Sequence, residues 1–351
     1  MKFQEAAQLF SNLPHTQTIL LLGPPGIGKT ALARYTGEMM RETGQDEPLI
    51  EVRDLCAHLP EDLLGLPFRE GNATQYCPPT WFHRLTNPSV RGVLVLDDLA
   101  AASPAVQVAA FRLMLERRSG DFTLSPGVKL VATANRREDK SGATTLPAAL
   151  RNRCLITNLD VDMDSWCQWA IDKGLPGVVP AFIRHRPNHL SKLPSDQDEM
   201  GVFATPRTWE MLGNCIGGAR KAGRSFEVAC GLIGNGIAHE FEAFLRYRAE
   251  IPDPREVLKA PEKALPNPPK DADRIVAMST AVAETAAKLS VEKAEKGGLK
   301  PAEVPALFLA ALCYMTKNAG REYSSAAILT YAQHKGNANG LVQAARASQS
   351  D

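Results

Sequence analysis

One run of eight residues carries the strongest chemical signal in the chain. Gly23-Pro24-Pro25-Gly26-Ile27-Gly28-Lys29-Thr30 fits the spacing G-x-x-x-x-G-K-[ST] at every fixed position. It follows an apolar stretch, Ile19–Leu22, and runs into a segment of helical character with Ala31 in its first turn. In such a strand–loop–helix context the glycines let backbone N–H groups curl around phosphates, and the helix N-terminus adds positive potential. Lys29 is then placed for the β- and γ-phosphates, and the Thr30 hydroxyl for Mg²⁺. A second glycine cluster, Gly231-Leu-Ile-Gly234-Asn-Gly236, has no preceding strand and no lysine, so it predicts close packing or a helix break instead.

Phosphate chemistry needs a carboxylate at the end of a neighbouring strand. Val93-Leu-Val-Leu-Asp97-Asp98, about 70 residues beyond the loop, supplies one. Asp97 is the candidate for the metal shell, and Asp98 for orienting or deprotonating the attacking water. A third apolar stretch, Val131-Ala-Thr133-Ala-Asn135, ends in polar groups, and Asn135 is positioned to hold that water or touch the γ-phosphate.

The elements that must hold these residues alternate. Apolar runs at Thr18–Leu22, Val93–Leu96 and Val128–Ala132 predict buried strands, Leu49–Val52 and Cys154–Leu159 predict two more strands, and helices are expected near 29–41 and 104–117 between them. That order predicts an α/β fold, a parallel sheet flanked by helices. Residues 3–11 read as a short amphipathic helix, 61–81 as loops and short elements, and 118–127 as a hairpin. After Asp160 the pattern turns helical, near 164–172, 178–186, 206–220 and 226–248. Six prolines between Ile251 and Pro269 suggest a linker or extended strap. Helices are expected beyond it, with Ile275, Met278, Val282, Ala286 and Leu289 in helical register, then at 301–316 and 322–335. The division expected is a core at 1–160, an all-α lid at 161–250, a proline-rich linker at 251–270 and a C-terminal helical extension at 271–351.

These motifs together resemble the AAA+ ATPases and, within them, the MoxR branch, over roughly residues 15–250. The resemblance implies ATP as ligand and substrate, Mg²⁺ as cofactor, and Asn135 as the sensor-1 residue. Leu146-Pro147-Ala148-Ala149-Leu150-Arg151-Asn152-Arg153-Cys154 is similar to the family's L-P-x-A-L-L-D-R-F stretch. It places the arginine finger, which enters a neighbouring subunit's site, on Arg153, with Arg151 as second candidate. Ala204-Thr205-Pro206-Arg207-Thr208-Trp209 resembles the sensor-2 region and puts Arg207 on the γ-phosphate. Asp62-Leu63-Leu64-Gly65 and the 118–127 hairpin resemble the branch's two insertions, which in relatives face the ring pore or a partner.

A homo-oligomeric ring, a hexamer, is implied, acting in a chaperone-like way on a client protein, with a partner carrying a von Willebrand factor A domain. The chain departs from the family at Asp98, where glutamate is usual. One methylene less draws the carboxylate back by about 1.5 Å, and a misplacement of that order can cost about a hundredfold in rate. A slow, nucleotide-switched scaffold is therefore an alternative. A clamp-loader-like or helicase-loader-like ATPase acting on DNA is another, drawn from the Arg-x-Arg-Cys stretch.

Composition bounds these readings. The chain has 351 residues with a net charge of +1, which offers no global attraction for nucleic acid or an anionic membrane. Its seven cysteines are scattered with no C-x-x-C pair, which argues against a disulfide framework or structural zinc and fits a reducing, cytoplasmic setting. Met1–Pro14 lacks a signal-peptide core, and no apolar run approaches the roughly 20 residues of a membrane span. His185 and His189 lie four apart, but Pro187 between them breaks the helix that would align them on a metal.

Overall fold

The computed structural model describes residues 1–41, 47–136, 152–193, 201–291, 299–317 and 324–332. They form two compact units, Met1–Asp162 and Met163–Asp351.

The first unit is built on a five-stranded parallel sheet. Its strands are β1 (Ile19–Leu22), β2 (Leu49–Asp54), β5 (Gly92–Asp97), β8 (Val128–Ala134) and β9 (Leu155–Asn158), in the spatial order β2-β5-β8-β1-β9. All five lie where the sequence predicts strands. Side-chain alternation divides the sheet's two faces. Ile19, Leu21, Val93, Val95 and Val131 pack on one face with Ala6, Ala7 and Phe10 of α1 (Phe3–Asn12) and Leu32 and Ala33 of α2 (Lys29–Met39). Leu20, Leu94, Leu96, Leu130 and Ala132 pack on the other with α5 (Pro104–Glu116). Burial on both faces explains why these strands read as continuous apolar runs.

The expected loops at 61–81 hold more order than composition suggests. Between the short helices α3 (Glu61–Leu64) and α4 (Thr80–Arg84) stands an antiparallel hairpin of β3 (Leu66–Glu70) and β4 (Ala73–Cys77). Every one of its strand residues is exposed, so no hydrophobic alternation marks it in the sequence. Trp81 and Phe82, by contrast, are buried in the core. The predicted hairpin at 118–127 is present in reduced form, as β6 (Arg118–Ser119) and β7 (Phe122–Thr123).

The second unit is all helical. It comprises α6 (Met163–Asp172), α7 (Val178–His185), α8 (Pro206–Lys221), α9 (Ser225–Ile233), α10 (Asn235–Ala249), α11 (Pro254–Lys259), α12 (Pro261–Ala264), α13 (Ala272–Val291), α14 (Val304–Met315) and α15 (Ser325–Ala332). Phe182 is the hub of one core, its ring centroid 5.2–5.5 Å from those of Trp209, Phe241 and Phe244. The helix expected over 226–248 is two helices. Gly234 breaks it at φ 83°, a left-handed conformation, where a Cβ would stand 2.8 Å from the Val202 carbonyl.

The proline-rich stretch is also not an extended strap. Pro254 and Pro261 occupy first-turn positions of α11 and α12, where proline is tolerated. Val257 and Leu258 are buried in a core with Met278, Val282, Phe308 and Tyr331. Among the described residues no helix is long and apolar enough to cross a membrane.

Candidate functional site

The site lies at the C-terminal edge of the sheet, where β1, β5 and β8 end side by side. Open α/β sheets bind ligands at such edges. The Gly23–Gly28 loop leaves β1 and feeds α2. Gly28 caps that helix at φ 99° and Gly26 turns at φ 75°, both left-handed conformations that admit glycine without a Cβ clash. Gly23 has a different reason to be glycine. A Cβ there would lie 2.7 Å from Ile27 Cδ1 and 2.9 Å from the Leu159 carbonyl.

Lys29 is buried, at 7% exposure, and its ammonium points back over the loop. Nζ donates to Gly23 O at 2.9 Å, Pro24 O at 2.8 Å and Asn135 Oδ1 at 2.6 Å. The loop's lysine and the polar end of β8 thus meet although 106 residues separate them in the chain. Thr30 Oγ1 lies 2.8 Å from both carboxylate oxygens of Asp97. A hydroxyl and a carboxylate held together beside a helix N-terminus make a hard-oxygen pair of the kind Mg²⁺ prefers, so the residues present fit that cation. The glycine-lined loop at the start of α2, with Lys29 over it, fits a phosphate chain.

Asp98 stands at φ 54°, in the left-handed region that Asp and Asn enter more readily than other non-glycine residues. Its N–H donates to Thr133 Oγ1 at 3.2 Å, and its carbonyl accepts from Ala101 N at 3.0 Å. Thr133 Oγ1 in turn donates to Asp97 Oδ1. Cys56, exposed in the turn after β2, directs Sγ to Asp98 O at 3.8 Å. Partial burial first, then the charges of Asp54, Asp98 and Asp97, raise its thiol pKa, so it stays protonated.

The structure therefore brings together Gly23–Thr30, Asp97, Asp98 and Asn135. Ala31 is exposed on the first turn of α2. Arg153 is exposed just before β9. Arg151 and the preceding 146–150 stretch lie outside the described residues. Arg207 is exposed in the helical unit, in the first turn of α8 behind Pro206. The Thr205 and Thr208 side chains and backbone amides cap that turn reciprocally. Sequence reasoning missed Thr133, the residue between both acids. A β-branched residue inside an apolar strand carries no signal of such a role.

Residues 18–154 match the model of the AAA domain, dynein-related subfamily, so this segment is an AAA domain. Its parallel sheet flanked by helices is that class's P-loop core. Solved structures similar to the chain include a point mutant of RuvB from Thermotoga maritima, 18% identical, covering 80% of this chain and 81% of that one at a TM-score of 0.41. A putative ATPase from Cytophaga hutchinsonii is 16% identical, with 66% and 81% covered and a TM-score of 0.35. NtrX from Brucella abortus in complex with ADP is 14% identical, with 68% and 67% covered and a TM-score of 0.33. No curated protein matches the chain.

Proposed function

We propose that this protein is a MoxR-type AAA+ ATPase that hydrolyses ATP to ADP and phosphate in an oligomeric ring, a hexamer, and uses the cycle to remodel or activate a client protein. The observation that supports it best is the meeting of Lys29, Thr30, Asp97 and Asn135 at one sheet edge beside a glycine-capped helix start. The Gly23–Gly28 amides and Lys29 bind the phosphates, and Thr30 and Asp97 hold Mg²⁺. When bound there, the cation would supply neutralisation of phosphoryl charge. Asp98 orients the attacking water and accepts its proton at the carboxylate, while Asn135 steers that water.

Arg153, exposed at the surface, acts on a neighbouring subunit's γ-phosphate, with Arg151 as its alternative. Arg207 reports nucleotide state to the helical lid. The exposed β3–β4 hairpin, with Leu66, Phe68 and Tyr76 on its surface, is the client-facing or partner-facing element. A partner with a von Willebrand factor A domain suits the MoxR reading, as does a cytoplasmic setting.

ATP turnover measured across protein concentration, with Lys29→Ala and Arg153→Ala alongside, tests this. The expected result is activity that rises faster than linearly and two inactive variants. Linear activity with an active Arg153→Ala protein would remove the ring and the shared site from the proposal.

Asp98 favours a second reading, a scaffold that binds ATP and turns it over slowly. Asp98→Glu restores the missing methylene. A gain of about a hundredfold in turnover supports the switch; an unchanged rate shows that the left-handed backbone at 98 already delivers the shorter acid.

A further inference from the structure

Three successive residues at and after the end of β5 are fixed to a single residue of β8. Asp97 accepts from the Thr133 hydroxyl, Asp98 N–H donates to that same oxygen at 3.2 Å, and Leu99 N–H donates to the Thr133 carbonyl at 2.9 Å. Thr133 is fully buried, and its hydroxyl has one proton to give and lone pairs to receive. Its proton goes to Asp97, and a lone pair meets Asp98 N–H. The order of the sheet explains this. β8 lies between β1 and β5, and one residue beyond the Leu96–Ala132 pair stand Asp97 and Thr133.

We propose that Thr133 is the positioning residue that joins the two acids, so that engagement of Asp97 by its cation sets the backbone, and hence the carboxylate, of Asp98. This rests on the ATPase reading above and assigns that site an internal coupling.

The left-handed conformation of Asp98 supports the assignment. A non-glycine residue keeps such a conformation only where its surroundings determine it. Here its amide is held by Thr133 and its carbonyl by Ala101. Hydrogen bonds in series polarise one another, and the series runs Thr30 hydroxyl, Asp97 carboxylate, Thr133 hydroxyl, Asp98 amide. A change of charge density at Asp97 reaches the Asp98 amide through one hydroxyl. Thr133 itself touches neither phosphate nor water in this scheme.

The test compares Thr133→Val, which keeps shape and loses the hydroxyl, with Thr133→Ser, which keeps the hydroxyl. Two quantities are read: ATP turnover against Mg²⁺ concentration, and binding of a fluorescent ATP analogue with and without Mg²⁺. Loss of an outer-shell partner of a metal ligand typically costs tenfold or more. Thr133→Val is expected to lower kcat about tenfold and to raise the half-saturating Mg²⁺ concentration by several-fold. Its Mg²⁺-free nucleotide affinity should stay within about twofold of wild type, because the Lys29 end is untouched. Thr133→Ser should recover most of both losses.

If Thr133→Val keeps wild-type turnover and Mg²⁺ dependence while Lys29→Ala is inactive, the coupling is overturned and the ATPase reading survives. A folded Thr133→Ser protein as impaired as the valine variant also overturns it, since keeping the hydroxyl would then not keep the function. Should wild type bind ATP without turnover, the Mg²⁺-dependent gain in affinity becomes the readout. The same loss is expected in Thr133→Val, and an equal gain overturns the proposal. A wild-type protein that binds no ATP under either condition overturns both readings together.

Discussion

Strand β8 has a buried lysine near one end and meets another beyond the opposite end, and the two live by different rules. Lys129, fully buried near the strand's start, donates to the Phe10 and Leu13 carbonyls where α1 ends. Lys29, reached from the far end through Asn135, also donates to two carbonyls, those of Gly23 and Pro24. Both ammonium groups satisfy backbone oxygens. Only one does so beside a helix N-terminus, a hydroxyl–carboxylate pair and a glycine-lined loop. Lys129 closes a helix C-terminus, where a cation meets the negative end of the helix dipole. A buried charge marks a functional site only when its neighbours can receive a ligand.

That contrast can be broken most sharply by removing each lysine in turn. Lys29→Ala should weaken ATP binding and turnover by about a hundredfold or more, because the γ-phosphate loses its principal cation. Its unfolding free energy should fall by only about 1 kcal/mol, since an edge built to admit a ligand also admits water to the two carbonyls. Equilibrium denaturation and nucleotide titration on one sample separate these effects.

Lys129→Ala should do the reverse. It leaves a cavity and two carbonyls at the end of α1 without their donor, which should lower stability by about 2–4 kcal/mol. Nucleotide affinity of the folded fraction should be unchanged. Loss of nucleotide binding in a folded Lys129→Ala protein would show that the two ends of β8 are not independent.

A smaller effect sharpens the comparison through pH. Burial pushes the Lys129 pKa down to about 8 from 10.5. Between those values the native side chain is neutral while the unfolded one still carries its proton. The unfolded state then binds more protons, so unfolding free energy rises with pH across that window, by up to about 1.4 kcal/mol per unit from this group. Below the window both states are charged and the penalty of burying the ammonium is present in full. Lys129→Met should flatten this part of the stability–pH profile relative to wild type. An unchanged slope would mean that the ammonium is not desolvated. The smallest effect is expected at Gly234, where Ala must adopt a left-handed turn beside the Val202 carbonyl. Gly234→Ala should lower the stability of the helical unit by about 1–2 kcal/mol, read by thermal unfolding.

Much of this was legible before any coordinates. Apolar runs marked the three central strands because a parallel sheet buries both of their faces, and the loop and strand-end acids stood out because phosphate and cation chemistry constrains residue type at fixed spacing. What escaped was set by topology. Nothing along the chain says that β8 inserts between β1 and β5, so the place of Thr133 between Asp97 and Asp98 could not be read from spacing. The β3–β4 hairpin escaped because all its residues face solvent, and α11 and α12 because proline at first helical turns looks, in composition, like proline in a linker. Asp98 was visible as a departure from glutamate, but its left-handed backbone was not.

The close approach at Gly23 bears on how such a site would age. Its missing side chain makes room for Ile27 and for the Leu159 carbonyl at the end of β9, an architectural need that persists whether or not a nucleotide ever binds. In a lineage that abandoned catalysis, mutation would erode Lys29 and Thr30 first and leave Gly23 standing. A surviving first glycine in a degenerate copy of this loop would be a fossil of the sheet's geometry rather than a sign of retained activity.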